Sequence, residues 1–298
     1  MLVQSLLTLC VLPLTLAGFY SNSPVFELDA SNFDSVVLSN QTSIIEFYAP
    51  WCGHCRNLQP EYVKVGRHLQ DIAIVGAVNC DDSKNKPLCA RYRIEGFPTL
   101  VVFRPPKVNL ESKTHQNYAH ATEIYNGPRK AKAMVEFVAD RMKNYTKRFA
   151  TLTKLEEWAN KDTGRPKAVV LTRKDRLTTF LKSLAIDFLG KIDFGYLPLK
   201  SGKDDIFDKF EIEKDGNKSV LVVYDGDKWN KFEGDLSKDG ISQYLAEFAD
   251  VEEVTDRYAY LKSVIKGEKP KKKGTKGKSR KRNEKKADKK ANKEHDEL

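Results

Sequence analysis

The sequence predicts an α/β protein of two tandem domains with the same order of elements, followed by a basic tail that does not fold. The first domain carries a reactive cysteine pair and the second has no cysteine. Three observations predict this. The apolar run Ser43 to Tyr48 leads through Ala49-Pro50-Trp51 into Cys52-Gly53-His54-Cys55 and then into an apolar stripe of helical spacing. From Leu152 the same succession of elements returns without the cysteines. From Lys266 onward there are 15 Lys or Arg against 6 Asp or Glu and almost nothing apolar. The 298 residues, 40% of them hydrophobic, are enough for two domains of ordinary size.

The two ends of the chain carry addresses. Leu2 to Ala17 is almost unbroken apolar sequence, and Thr15-Leu16-Ala17-Gly18 suits a signal-peptidase site. A buried N-terminal helix is the alternative, but Pro13 and the lack of helical alternation speak against it. Residues 1–17 are therefore expected to be a cleaved signal peptide. The last four residues, His295-Asp296-Glu297-Leu298, form a receptor-read address for return to the endoplasmic reticulum. Together they predict residence in the endoplasmic reticulum lumen, with a retrieval receptor as one partner. No later stretch approaches the roughly 20 apolar residues that span a bilayer, so no membrane anchor is expected. The sequons at Asn40, Asn144 and Asn217 are candidate glycosylation sites in that compartment.

The net charge of +10 resembles a nucleic-acid signal until it is located, because +9 of it lies from Lys266 onward. The preceding chain is nearly neutral. A tail of this composition cannot bury enough surface to fold. Lys271-Lys272-Lys273 is the kind of run that binds nucleic acid, but the two addresses argue against such a partner. A solvated tether that keeps the final tetrapeptide accessible fits better, and its charge suits acidic lumenal chaperones.

Of five cysteines, Cys10 leaves with the signal, and Cys52, Cys55, Cys80 and Cys89 remain. A zinc site would need a second closely spaced ligand pair. Cys80 and Cys89 lie too far apart for that, and His68, His115 and His120 form no paired motif, so no metal is expected. In an oxidising lumen, Cys80 and Cys89 suit a structural disulfide closing a short loop. Two free buried thiols are the alternative.

Ser43 to Tyr48 reads as a strand buried on both faces. Cys55, Leu58, Tyr62, Val65 and Leu69 then mark one face of a helix, with the cysteine pair at its N-terminus. Unsatisfied N–H groups and the positive end of the dipole favour an anion there. Cys52 is thus expected to be the thiolate nucleophile. His54, which with Gly53 separates the two sulfurs, favours the reduced form and makes the disulfide more oxidising. Cys55, on the apolar side, is expected to be buried and protonated, the thiol that resolves a mixed disulfide. Glu46 is anomalous in a buried strand. A carboxylate there is costly unless it has a task, and a raised pKa would let it exchange the proton of Cys55. The alternative is a side chain tipped toward solvent at the strand end. Gly96-Phe97-Pro98-Thr99 precedes the strand Leu100 to Phe103. Pro98 is a candidate cis residue that would present the Phe97 backbone to an extended peptide.

Glu46-Phe47-Tyr48-Ala49-Pro50-Trp51-Cys52-Gly53-His54-Cys55 resembles the active-site segment of the protein disulfide isomerase family, and Gly96-Phe97-Pro98-Thr99 resembles its cis-proline motif. The layout is similar to small fungal members with one active thioredoxin domain, an inactive companion and a retrieval signal. The resemblance covers about residues 22 to 145 and implies a thioredoxin fold. It also implies Cys52 as nucleophile, Cys55 as resolving cysteine, Glu46 as buried acid, Pro98 as cis-proline and Arg129 as a mobile arginine tuning the second cysteine. No cofactor is implied. Arg104 to Ala121 is longer than a usual hairpin link, which makes it either a loop bordering the substrate site or a tolerated insertion.

In the second half, a helix through Leu152, Leu155 and Trp158 precedes the strand Ala168 to Leu171. Leu177, Phe180, Leu181, Leu184 and Phe188 follow as a helix, and Ile192, Phe194 and Tyr196 as a strand. Val220 to Tyr224, Asp225-Gly226 and Lys228 to Phe232 read as a hairpin. Ile241, Tyr244, Leu245 and Phe248 form a helix, and Val254, Tyr258, Leu261 and Ile265 a last one leading into the tail. Ser219 stands where Pro98 stands in the first domain, so no cis-proline is expected there.

The expected organisation is a signal peptide over 1–17, a redox-active thioredoxin domain over 22–147 and a redox-inactive thioredoxin-like domain over 150–250. A C-terminal helix over 251–266 and a disordered basic tail over 267–298 follow. The expected function is thiol–disulfide exchange on unfolded or partly oxidised secretory proteins by a monomer. The rival is a chaperone or escort with minor redox turnover.

Overall fold

A computed structural model describes residues 18–108, 119–174, 177–199, 204–213, 219–234, 236–249 and 257–265. The signal segment, the tail with its final tetrapeptide, Asn217, Val254 and most of the 104–121 segment lie outside the described residues.

The first domain begins with strand β1 (Phe26–Leu28) and helix α1 (Phe33–Val37), which the sequence analysis did not identify. Strand β2 (Ser43–Tyr48) is buried along its whole length, as its apolar run requires. Helix α2 (Gly53–Leu69) buries the expected face of Cys55, Leu58, Tyr62, Val65 and Leu69. Then come β3 (Ile74–Asn79), α3 (Lys86–Arg91), β4 (Thr99–Arg104), β5 (Ala121–Ile124) and α4 (Ala131–Arg141). The sheet order is β1-β3-β2-β4-β5, with β2 parallel to β3 and antiparallel to β4.

Alternation along β2 sorts its side chains between two cores. Ile44 and Tyr48 join the cluster beneath α2 and α4, whereas Ile45 and Phe47 join the opposite cluster with Phe33, Val36 and Leu88. Glu46 shares the α2 face with Ile44 and Tyr48. The Tyr62 hydroxyl lies 2.9 Å from the Ile44 carbonyl and 2.8 Å from the Gly76 carbonyl, pinning α2 to the two central strands.

The second domain starts at β6 (Thr146–Arg148), a strand absent from the sequence reading. Its three residues have no apolar pattern, and only parallel pairing with β8 makes them a strand. Helix α5 (Leu152–Ala159), β7 (Lys167–Thr172), α6 (Thr179–Asp187), β8 (Asp193–Pro198) and α7 (Asp204–Lys209) follow. Strands β9 (Val220–Tyr224) and β10 (Trp229–Lys231) and helix α8 (Lys238–Ala249) complete the unit. The order β10-β9-β7-β8-β6 repeats that of the first sheet. Helix α6 starts after Leu177, later than the apolar period suggests, because the Thr178 side chain caps it by accepting from the Leu181 N–H at 3.3 Å. The β9–β10 turn uses Gly226 at φ +106, a backbone conformation that glycine adopts without steric cost.

The domains meet at the end of the first sheet away from the cysteines. Asp187 accepts from Gln41 Nε2 at 3.3 Å and pairs with Lys238 Nζ at 2.7 Å, while Lys238 also donates to the Asp71 carbonyl. Lys182 Nζ donates to the Ala139 carbonyl at 3.1 Å. Helix α9 (Arg257–Ile265) does more than lead into the tail, because Leu261 is buried in the first domain's core beside α1. Among the described residues, no helix is long and apolar enough to cross a membrane.

Candidate active site

Strand β2, at the centre of the sheet, leads from its C-terminal end into a turn that closes with the Cys52 N–H donating to the Ala49 carbonyl at 3.0 Å. Arg56 Nη1 holds the loop from the other side through the Pro50 carbonyl at 3.2 Å. Cys52 is the N-cap of α2, with extended backbone, and its Sγ accepts from the Cys55 N–H at 3.3 Å. The sulfur occupies the place that a serine or aspartate oxygen takes in an ordinary cap, where orphan helix donors converge.

The two cysteines differ in exposure. Both residues are buried, Cys52 with 7% of its residue surface exposed and Cys55 with none. Burial, and next a hydrogen bond to Cys52, push the Cys55 thiol up to about 12. Gly53 and His54 form the exposed first turn, and Trp51 is 63% exposed with its ring edge-on to Phe97 at 6.0 Å. The Phe97–Pro98 peptide bond is cis, and Pro98 is buried.

Glu46 faces the interior, and the solvent-facing alternative does not hold. It is fully buried, with Ala77 and Leu100 as its register partners on the flanking strands. Burial raises its pKa to about 7, against the opposing pull of the Tyr20 hydroxyl and the Arg129 charge. Oε2 accepts from Tyr20, while Oε1 has no hydrogen-bond partner among the described residues. Arg129 is exposed in the loop before α4, at the cysteine end of the sheet.

Tyr20 escaped the sequence reading. It belongs to no motif, and its only mark is that it forms, with Phe19, an aromatic pair just after the leader and ahead of a polar Ser/Asn stretch. Cys80 and Cys89 form a disulfide between the end of β3 and α3, which leaves neither sulfur free to hold a metal. The described ends of the 104–121 segment lie away from the cysteines. Arg104 pairs with Ala121 at the far end of the sheet, the Val108 N–H donates to the Tyr145 hydroxyl at 2.9 Å, and His120 Nε2 meets the Ser39 carbonyl at 2.7 Å. Asn40 and Asn144 are exposed.

A dithiol at the N-terminus of the helix that follows the central strand, in this sheet order, defines a thiol–disulfide oxidoreductase of thioredoxin fold. Comparison with known proteins agrees. The thioredoxin family profile matches residues 24–140. Protein disulfide-isomerase MPD1 of Saccharomyces cerevisiae is 36% identical over 291 residues, covering 86% of this chain and 89% of the yeast protein. A putative protein disulfide-isomerase of Dictyostelium discoideum is 33% identical over 235 residues, 78% of this chain and 54% of that one. The crystal structure of ERdj5 form II aligns over 76% of this chain and 30% of its own, with a TM-score of 0.54 and 19% identity, a likeness of fold. The chain belongs to the protein disulfide-isomerase family, and it is a thiol–disulfide oxidoreductase and isomerase.

Proposed function

We propose that this enzyme forms, reduces and rearranges disulfides in proteins folding in the endoplasmic reticulum lumen, with Cys52 as the sulfur that meets the client. In the oxidising direction, a client thiolate attacks the Cys52–Cys55 disulfide at Cys52. A client–Cys52 disulfide forms and Cys55 leaves as a thiolate, which takes a proton from Glu46. A second client thiolate attacks the client sulfur of the mixed disulfide, the client disulfide closes, and Cys52 departs as thiolate. Reduction is the reverse, in which Glu46 accepts the Cys55 proton as Cys55 attacks. In isomerisation, Cys52 opens a client disulfide, and the released client thiolate attacks elsewhere until Cys52 is expelled again. No net electrons are exchanged.

The observation that carries this reading is the asymmetry of the pair. Cys52 caps the helix, accepts from the Cys55 N–H and keeps a little exposed surface, whereas Cys55 is fully buried in the core on the same sheet face as the Glu46 carboxyl. The Cys55 N–H that reaches Cys52 Sγ at the helix start supports a thiolate there, and His54 is exposed in the same first turn. Arg129, whose charge reaches Glu46, is assigned to tuning the Cys55 proton. Trp51 and Phe97 supply an aromatic rim, and we assign the Phe97 backbone to an extended client segment. We assign lumenal residence to the two terminal addresses, glycan attachment to Asn40 and Asn144, and a redox-active domain over 22–147 with an inactive companion over 150–250.

A second reading, a chaperone with minor redox turnover, draws on a cavity of about 300 Å³ in the second domain, lined by Val170, Leu181, Leu184, Tyr196, Leu221 and Ile241. Refolding of scrambled ribonuclease separates the two readings. The wild type should restore activity catalytically, and the Cys52→Ser, Cys55→Ser double variant should fall to background. Equal rescue by both would leave only the chaperone.

A further inference from the structure

Tyr20 lies 26 residues before Glu46, on a segment that belongs to neither a strand nor a helix, yet its hydroxyl reaches the buried carboxylate. The contact is built from several sides. Tyr20 is itself buried, its N–H donates to Glu27 Oε1 at 2.9 Å, and Gln59 Nε2 on α2 grips the neighbouring Phe19 carbonyl. Phe19 stacks on Tyr48 at 4.6 Å, and the Tyr20 ring packs against Tyr48 at 5.9 Å and Tyr62 at 5.8 Å. Among the described residues the hydroxyl has one hydrogen-bond partner, the Glu46 carboxylate.

The other polar groups facing Glu46 do not duplicate this contact. The Tyr62 hydroxyl is held by the strand carbonyls. Among the described residues neither the Tyr48 hydroxyl nor the Cys55 thiol donates to Glu46, and Arg129 acts on it only through its charge. Strands β3 and β4 present the apolar Ala77 and Leu100. Tyr20 is thus the only side-chain donor to Glu46 among the described residues.

We propose that Tyr20 is a positioning residue of the redox site, whose hydroxyl orients the Glu46 carboxylate and stabilises its ionised form, the form that takes the Cys55 proton. The proposal rests on the proton-exchange reading of Glu46 and adds the N-terminal segment to the machinery. A donor to a buried carboxylate opposes the burial that would otherwise keep it protonated. Hydrogen bonding by Tyr20 is the larger of the two influences that lower the Glu46 pKa, ahead of Arg129.

The test uses the full chain as wild type, Y20F, Y48F, E46Q and the Y20F/E46Q double variant. Carbon NMR of carboxyl-labelled glutamate reads the Glu46 midpoint directly, with the signal assigned by its loss in E46Q. Removing one charge-assisted hydrogen bond should move that midpoint up by about one pH unit in Y20F, whereas Y48F should leave it in place. An unmoved midpoint in Y20F, or an equal shift in Y48F, overturns the proposal. Release of glutathione from its mixed disulfide with Cys52 reads the resolving step. Y20F should slow it about fivefold at pH 7, without changing the alkylation rate of Cys52, and should add nothing in the E46Q background. Equal slowing in both backgrounds would make Tyr20 a packing residue only. If E46Q kept the wild-type pH profile, the proton-exchange reading would fall, while the NMR midpoint would still decide whether Tyr20 stabilises the carboxylate.

Discussion

The two sheets repeat one strand order, and their registers place their residues in correspondence. Glu46 opposite Leu100 in the first sheet corresponds to Val170 opposite Leu221 in the second. The N-cap sulfur of Cys52 accepts from the N–H three residues on, and so does the N-cap oxygen of Thr178. Cys55 therefore corresponds to Leu181. Pro98 corresponds to Ser219, whose hydroxyl donates to Thr172 Oγ1 at 2.9 Å. The fold demands an acceptor at that helix start, because orphan N–H groups converge there. An alcohol meets the demand and stays inert, whereas a thiol there is the group we assign to attack. The difference teaches that capping belongs to the scaffold and that redox chemistry was set by which atom does the capping, together with a carboxyl beneath it.

Exchanging the buried groups tests this correspondence hardest. Val170 is half-buried and lines the second domain's cavity, so Val170→Glu brings a carboxyl into a largely apolar lining and should cost about 3 kcal/mol in urea unfolding above neutral pH. A cost near zero would mean that the Val170 position tolerates a carboxyl as the Glu46 position does. The converse change, Glu46→Gln, shows up in the pH dependence of stability. Folding raises this carboxyl from its ordinary 4.5 to about 7, so its contribution is full below about 4.5 and lost as pH rises through 7. The wild type should therefore lose about 3 kcal/mol over that window, and Glu46→Gln should remove the slope. Next in size is the disulfide that only the first domain has. Cys80→Ala with Cys89→Ala releases a loop of sequence separation 9 and should cost about 2 to 3 kcal/mol in denaturation, leaving the redox pair active. The smallest effect belongs to the inert cap. Thr178→Ala should lower stability by about 1 kcal/mol and leave ribonuclease refolding unchanged.

Much of the site was legible because its signals are local. The cysteine spacing, the stripe from Cys55 to Leu69 and a carboxylate inside an apolar run all lie within 24 consecutive residues. What escaped lacked a local pattern. Strand β6 has no alternation and exists by pairing with β8, and α7 is short, with only Ile206 and Phe207 to bury. Helix α9 was readable as a helix, but its partner, the α1 face of the first domain, was not. For the long segment after Arg104, the antiparallel register of β4 with β2 decided which end of the sheet it leaves.

By itself the sequence determined the cysteine pair at a helix start and the doubled α/β plan, since each depends on residues adjacent in the chain or repeating at helix or strand period. The tertiary structure decided that Tyr20 sits on Glu46, that Cys55 is fully buried while Cys52 keeps a little exposed surface, and that Val170 and Thr178 occupy the places of Glu46 and Cys52. These are contacts between segments far apart in sequence, and such contacts exist only once the sheets have closed and excluded water from the groups between them.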